Sequence, residues 1–274
     1  MRLIISPAKK MRVDLESGCA CTPPFFLPET RQLLSWLRSL SFGQLRTLWA
    51  CSQSLAEENW ERLRQMDLEK AATPALLAYE GIQYQYMAPA VFEDGQMDWV
   101  GERVRILSGF YGALRPFDRV VPYRLEMQAK GAPEGFRNLY DFWGDRLYRA
   151  CRDEDGILIN LASKEYSRAV APYLQPGDRL VEVIFGEQNG ERIVQKGVYA
   201  KMARGEMVRY LAGKGARRPE DMKGSPACVE RTTICRTSVA SDAANEMSSN
   251  VTTGRKCNVT TEDPGEIPSS AEAR

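Results

Sequence analysis

The chain contains no histidine among its 274 residues. This absence excludes catalytic mechanisms with an imidazole base, including Ser-His-Asp and Cys-His machinery. It also excludes zinc, haem and non-haem iron sites that are built on histidine ligands. Acid–base chemistry in this protein would have to use Asp, Glu, Lys, Tyr or Cys side chains.

Targeting, disulfide and nucleotide-fold signals are missing as well. No apolar run approaches the ~20 residues of a membrane-spanning helix, and the N-terminal run is too short for a secretory signal. The seven cysteines include no Cys-x-x-Cys pair. They therefore do not indicate a disulfide framework, and we expect a cytoplasmic location. No G-x-G-x-x-G, P-loop or G-x-S-x-G motif is present.

The composition of the chain changes near residue 223. Residues 224–274 contain no Leu and no aromatic residue, whereas Ser, Thr, Ala, Pro and Gly are frequent. Such a segment buries too little apolar surface to offset the entropy cost of ordering it. We therefore predict one folded domain over residues 1–223 and a disordered or aberrant tail over residues 224–274.

Short apolar runs alternate with amphipathic helical patterns along residues 1–223. The runs Leu3–Ile5, Val104–Leu107 and Ile157–Leu161 are typical of buried strands. Asn189-Gly190 lies between two alternating segments and indicates a β-hairpin. We predict an α/β fold of the mixed α+β kind, a single compact body with a mixed sheet flanked by helices.

Several basic residues lie beside predicted turns or soon after predicted strands. The carboxyl ends of strands are where open α/β sheets place their ligand sites. A cleft lined by one sign of charge attracts polyanions, and Lys or Arg there neutralises phosphates. The net charge of +1 does not by itself indicate such a partner. The basic residues in question are Lys9, Arg115, Arg124, Lys164, Lys201 and Arg204.

The segment Leu107–Arg115 contains two glycines, Gly109 and Gly112, with Tyr111 between them. Glycines let a backbone approach a partner closely, and exposed N–H groups at such a turn bind phosphate oxygens. One interpretation is a helix–hairpin–helix grip on DNA. The other, which the spacing alone favours, is a tight strand-to-helix connection in which glycines relieve crowding.

Six segments together resemble the YaaA family of bacterial peroxide-stress proteins, in that family's order and spacing. They are Leu3–Lys9, Ile106–Asp118, Pro122–Met127, Leu139–Asp145, Ile159–Tyr166 and Tyr199–Met207. The resemblance covers residues 1 to about 223. Family members continue beyond that point with folded sequence that contains aromatics. A shifted reading frame near Met222–Gly224, or a divergent tail, would account for the difference.

The resemblance implies a cytoplasmic role in survival of hydrogen peroxide and in limiting damage linked to intracellular iron. It also implies binding of double-stranded and branched DNA, through a positively charged cleft and a helix–hairpin–helix element that falls most naturally on Leu107–Arg115. No catalytic activity is established for the family, and we expect no catalytic residue, cofactor or metal. The predicted DNA-binding residues are Lys9, Gly109, Tyr111, Gly112, Arg115, Arg124, Lys164, Lys201 and Arg204.

Two other functions remain open at this point. An enzyme acting on nucleic acid or a nucleotide would use polar side chains at strand ends. Its candidate residues are Lys9, Tyr111, Asn160, Ser163 and Lys164. An iron-handling protein would need carboxylate or Cys ligands, because the chain lacks histidine.

Overall fold

A computed structural model describes residues 1–14, 20–189, 192–194, 196–229, 233–239 and 248–251. The strands are β1 (Arg2–Ile5), β2 (Lys10–Met11), β3 (Thr73–Pro74), β4 (Tyr79–Glu80), β5 (Val104–Ser108), β6 (Gly112–Leu114), β7 (Arg119–Val120), β8 (Ile157–Leu161), β9 (Arg179–Phe185), β10 (Glu187–Asn189), β11 (Arg192–Val194), β12 (Thr233–Val239) and β13 (Ser248–Val251). The helices are α1 (Leu27–Ser39), α2 (Phe42–Trp49), α3 (Gln53–Gln65), α4 (Ala75–Ala78), α5 (Ile82–Met87), α6 (Asp94–Arg103), α7 (Leu139–Trp143), α8 (Arg146–Cys151), α9 (Lys164–Ser167), α10 (Gly197–Lys214) and α11 (Pro226–Val229). Short 3₁₀ turns lie at Leu68–Lys70, Pro89–Val91, Ala171–Tyr173 and Pro219–Met222.

The main sheet has seven strands in the order β13-β12-β9-β8-β1-β5-β6. Strand β1 pairs in parallel with both β5 and β8, and β8 pairs in parallel with β9. Strands β6 and β12 add antiparallel neighbours to β5 and β9. The predicted mixed sheet is therefore confirmed, as are the strands predicted at Leu3–Ile5, Val104–Leu107 and Ile157–Leu161. The predicted hairpin at Asn189 is also present, since β10 pairs with β11.

The centre of this sheet is apolar on both faces. Leu3, Ile4 and Ile5 of β1 are all fully buried, and so are Leu158, Ile159 and Leu161 of β8. Consecutive apolar residues are what a parallel strand needs when helices cover both sides of the sheet. No helix among the described residues is long and apolar enough to cross a bilayer.

Helix α10 touches helix α5 at a glycine. A Cβ atom built on Gly205 would lie 2.1 Å from the carbonyl oxygen of Gln83 and 2.8 Å from the amide nitrogen of Met87. Since both neighbours are backbone atoms, they cannot move aside without shifting helix α5. The contact fixes Arg204, the preceding residue, beside α5.

The structure continues into the segment that composition predicts to be disordered. Helix α11 and strands β12 and β13 lie beyond residue 223, and β12 pairs with β9 from Thr233↔Phe185 to Val239↔Arg179. Without β12, this side of β9 would present unpaired backbone N–H and C=O groups. The other residues of the predicted tail, including 252–274, lie outside the described residues.

Candidate functional site

A pocket of about 410 Å³ opens where β1 and β8 end, and we call it the strand-end pocket. Its walls come from the loop Ser6–Lys10 after β1, the segment 163–166 after β8, the segment Tyr123–Glu126, and helices α5 and α10. The carboxyl ends of parallel strands are the usual place for a ligand site in such sheets. Ser6 and Lys9, which follow β1, and Ser163, which follows β8, line this pocket.

Four of the nine predicted DNA-binding residues line this pocket: Lys9, Arg124, Lys201 and Arg204. They come from three separate parts of the chain. Together with Lys10 they make five basic residues in the lining, against three acidic ones, Glu80, Glu126 and Glu165. The lining therefore carries an excess of positive charge.

Two of the three acidic residues of the pocket, Glu80 and Glu126, lie within ion-pair distance of basic residues. Lys9 Nζ lies 2.7 Å from Glu126 Oε1, and Lys10 Nζ lies 2.8 Å from Glu80 Oε2. Arg124 Nη2 is 3.9 Å from Glu126 Oε1. Both lysines are largely exposed, and exposed ion pairs contribute only about 0–1 kcal/mol. An anionic ligand can therefore replace Glu126 and Glu80 as the partners of these lysines at little cost in free energy.

Arg204 and Gln83 are polar residues of the pocket that the protein leaves without partners. Within the described part of the chain, Arg204 makes no ion pair or hydrogen bond, and its Nε is buried. Burial lowers the pKa of its guanidinium. Gln83 Nε2 and Arg124 Nε are also buried without a partner among these residues. Each such group costs about 1–3 kcal/mol. Three such groups therefore line this pocket with hydrogen-bonding capacity that a ligand could use.

Hydrogen bonds join the segments that form the pocket. Ser6 Oγ accepts from the backbone N–H of Ser163 at 2.8 Å and lies 3.3 Å from Ser163 Oγ. The Tyr84 hydroxyl donates to the Ser6 carbonyl oxygen at 3.0 Å. Hydrogen bonds thus connect the loop after β1 to the segment after β8 and to α5, and they hold these three walls of the pocket together.

The predicted helix–hairpin–helix is wrong for Leu107–Arg115. This segment is a β-hairpin formed by β5 and β6, paired from Ile106↔Leu114 to Ser108↔Gly112. Its glycines relieve crowding. A Cβ on Gly109 would lie 2.6 Å from the Leu125 carbonyl oxygen, and a Cβ on Gly112 would lie 2.8 Å from the Trp143 ring. The two halves of the segment pair as strands β5 and β6, and their apolar residues are buried in the core.

The other predicted contacts of this segment are also enclosed by protein. Tyr111 is 1% exposed, and its hydroxyl accepts from the Val121 N–H at 3.1 Å. Arg115 Nη2 lies 2.8 Å from Asp118 Oδ1 and donates to the Pro23 carbonyl oxygen. Gly109, Tyr111 and Gly112 are buried, and Arg115 is held by Asp118 and Pro23 with 30% of its side chain exposed, outside the lining of the strand-end pocket.

The remaining predicted residues lie close to the strand-end pocket without lining it. Lys164 is exposed at the first position of α9, next to the lining residue Ser163. Asn160 is nearly buried, and its Oδ1 accepts from the Ala162 N–H at 2.9 Å. Of the candidates for an enzyme, only Lys9 and Ser163 line the pocket.

Sequence reasoning missed Gln83 and Tyr84 altogether. No motif marks them, because they reach the pocket only through the contact between α5 and α10. Glu126 and Glu165 lie within the segments that resemble a known family, and that resemblance could have pointed to them. In the described part of the chain, no three Cys, Asp or Glu side chains form a group that could hold a metal ion.

Comparison with known proteins covers the whole of this site. A family model described as "Peroxide stress protein YaaA" matches residues 1–227. The chain belongs to the YaaA family. The match includes every segment that lines the strand-end pocket, and it ends close to the change in composition at residue 223. The pocket is therefore within the part of the chain that YaaA proteins share.

Bacterial relatives of this YaaA family member are similar over most of their length. The UPF0246 protein of Agathobacter rectalis is 50% identical over 223 residues, which are 81% of this chain and 90% of the relative. That of Lachnoclostridium phytofermentans is 51% identical over 212 residues, 77% of this chain and 83% of the relative. That of Desulfitobacterium hafniense is 50% identical, with 81% and 89% covered.

Glu165 makes the stability of this YaaA family member depend on pH. Burial raises its pKa above the ordinary 4.5, the Gln128 N–H and Lys9 lower it, and Glu126 raises it. The folded protein therefore keeps a proton that the unfolded chain releases. The free energy of unfolding then falls as the pH rises from 4.5 through the folded-state pKa.

We expect Glu165→Gln to remove this fall, because an amide has no proton to lose in this range. The variant should be more stable than the unmodified protein at neutral pH and equal to it in acid. Urea unfolding at several pH values measures the difference. A difference in stability that stays constant with pH would contradict the expectation.

Proposed function

We propose that this peroxide stress protein is a cytoplasmic DNA-binding protein that limits iron-dependent oxidative damage to double-stranded or branched DNA. The main support is the meeting of basic residues from three parts of the chain at the strand-end pocket. Within the described residues, Lys201 and Arg204 have no acidic partner there. Cations without partners are available to neutralise phosphates and release their counterions.

The size of the pocket sets how a duplex would lie. A major groove alone is about 12 Å wide, so a duplex is too large to enter a pocket of about 410 Å³. We place it across the mouth, with phosphates near the exposed ammonium groups of Lys9, Lys164 and Lys201. Contacts of this kind carry no sequence information, and binding should therefore be insensitive to sequence.

Replacing Lys164 and Lys201 together by alanine is expected to weaken duplex binding. Each lost phosphate contact reduces the slope of log K against log salt by about one, so the double variant should lose about two. Fluorescence anisotropy with duplex and four-way junction DNA at several salt concentrations measures both slopes. The matched control is Lys70→Ala with Lys130→Ala, which removes the same charge from exposed positions outside the pocket lining.

Equal slopes for the two double variants would count against the proposed DNA surface. Plasmid nicking by ferrous iron and peroxide provides a second readout. The protein should protect the plasmid at low salt and lose that protection at the salt concentration where binding is lost. Protection that persists without binding would separate the protective effect from DNA contact.

A second candidate is an enzyme that acts on nucleic acid or a nucleotide. The observation that favours it is a pocket in the volume range of small-molecule sites, with Lys9, Ser6 and Ser163 in its lining. Turnover of a nucleotide or DNA substrate that Lys9→Ala abolishes, with unchanged unfolding, would support this function. Turnover that Lys9→Ala leaves unchanged would exclude this residue from the chemistry.

A further inference from the structure

The interior of the strand-end pocket differs from its charged mouth. Its walls include the apolar side chains of Ile82 and Leu125 and the rings of Tyr84, Tyr123 and Tyr166. Tyr84 and Tyr123 are almost fully buried. Inorganic phosphate gains nothing from apolar and aromatic walls, whereas a planar ring packs favourably against them.

The polar groups without partners lie in this same lining. Arg204 and Arg124 each keep a buried Nε without a partner among the described residues, and Arg204 has no counter-charge there. Leaving a buried guanidinium N–H without an acceptor is unfavourable. An anionic group of the ligand would remove this cost, and a phosphate matches the fork of a guanidinium.

Gln83 supplies a donor beside the two arginines. Its side chain is 6% exposed, and its Nε2 has no partner in the described part of the chain. The contact between Gly205 and the Gln83 backbone holds this residue next to Arg204. An amide in that position pairs with a carbonyl or ring nitrogen of a base, which inorganic phosphate lacks.

We infer that the strand-end pocket binds a single nucleotide, with its phosphate at Arg204 and Arg124 and its base on the side of the pocket that the tyrosines and Leu125 line. The inference rests on the proposed DNA-binding function for the choice of a nucleic-acid ligand, and it names the unit that is bound. The nucleotide is either free or extruded from DNA into the pocket. Extrusion costs least for a mismatched, damaged or unpaired nucleotide.

Calorimetry on the full chain tests this inference with GMP, AMP, guanosine and inorganic phosphate as probes. We expect at least one of the two nucleotides to bind, and guanosine and inorganic phosphate each to bind about tenfold more weakly or less. Inorganic phosphate that binds as tightly as the nucleotides would overturn the inference. So would the absence of nucleotide binding, both free and in DNA.

Two substitutions examine the residues of the pocket. Arg204→Met keeps most of the side-chain volume without charge, and Gln83→Glu replaces the amide that would donate to the base by a carboxylate. Each should lower nucleotide affinity about tenfold or more, because the first variant loses a hydrogen bond to the charged phosphate and the second loses the donor to the base. The matched control is Arg119→Met, since Arg119 also has a buried Nε without a partner among the described residues but does not line the pocket.

Thermal unfolding of each variant shows whether it folds, and a folded Arg204→Met or Gln83→Glu protein with unchanged nucleotide affinity would overturn the inference.

Duplexes that carry 2-aminopurine at a mismatch or at a paired site distinguish the source of the nucleotide. A rise in 2-aminopurine fluorescence at the mismatch, but not at the paired site, indicates that the protein extrudes the nucleotide from DNA. If the fluorescence rises at neither site while calorimetry shows binding of GMP or AMP, the pocket takes a free nucleotide. Either result supports a single-nucleotide pocket. The salt slope for a fully paired duplex should be the same in Gln83→Glu, because Gln83 is nearly buried and is not part of the proposed DNA surface. Failure of the nucleotide pocket is therefore separable from failure of the proposed DNA surface.

Discussion

Replacing Gly205 by alanine is expected to lower the free energy of unfolding by about 3 kcal/mol. The new methyl group would lie 2.1 Å from the Gln83 carbonyl oxygen, a distance that real side chains do not adopt. Relief requires α10 to move away from α5. That movement would also separate Arg204 from Gln83, so nucleotide binding should be lost together with stability. Urea unfolding and calorimetry measure the two effects.

The control for this substitution lies on the same helix. A Cβ atom built on Gly213 would meet only the end of the flexible Gln96 side chain, at 3.3 Å. Gly213→Ala should therefore be neutral, or stabilising by up to about 1 kcal/mol through the higher helix propensity of alanine. Equal effects of Gly205→Ala and Gly213→Ala would show that the contact between the two helices does not limit stability.

Replacing Asp118 by alanine is expected to lower the free energy of unfolding by about 3–5 kcal/mol, as is usual when a buried ion pair loses one partner. The Asp118 side chain is fully buried. It accepts hydrogen bonds from the Arg115 N–H at 2.8 Å, from Arg115 Nε at 2.9 Å and from the Thr22 hydroxyl at 2.7 Å. Alanine leaves all of these donors without an acceptor.

Glu58→Ala is the comparison for Asp118→Ala. Glu58 pairs with Arg62 across one turn of α3 at 2.6 Å, and this pair is on the surface. We expect a loss of less than about 1 kcal/mol from its removal. Similar losses for the two variants in urea unfolding would contradict a structural role for the Arg115–Asp118 pair. Arg115→Ala should likewise lower stability and leave the salt slope of DNA binding unchanged.

The sheet and the location of the site could be predicted because local sequence determines them. The apolar runs at Leu3–Ile5 and Ile157–Leu161 are long enough to mark buried strands, and their residues are fully or nearly buried. Parallel neighbours end at the same edge, so the polar residues that follow them meet there. Lys9 and Ser163 were found in this way.

The residues that could not be predicted depend on contacts between distant segments. Arg115 resembles Arg124 in sequence, since both follow a turn, but Arg115 binds Asp118 at 2.8 Å, whereas Arg124 lies 3.9 Å from Glu126 and lines the pocket. Gln83 becomes a pocket residue only because Gly205 lets two helices touch. The spacing of Gly109 and Gly112 favours a tight connection over a phosphate-binding hairpin, and the burial of Phe110 and Tyr111 agrees with it. The connection joins two strands and not a strand to a helix.

The position of β1 has a consequence for how this protein is made. The register of this strand joins Leu3 to Val104 on one side and to Ile159 on the other, so about a hundred residues separate it from one neighbour and more than 150 from the other. During synthesis β1 therefore leaves the ribosome before both of its neighbours. Strand pairings over such distances form slowly, and an unpaired apolar strand is prone to aggregation.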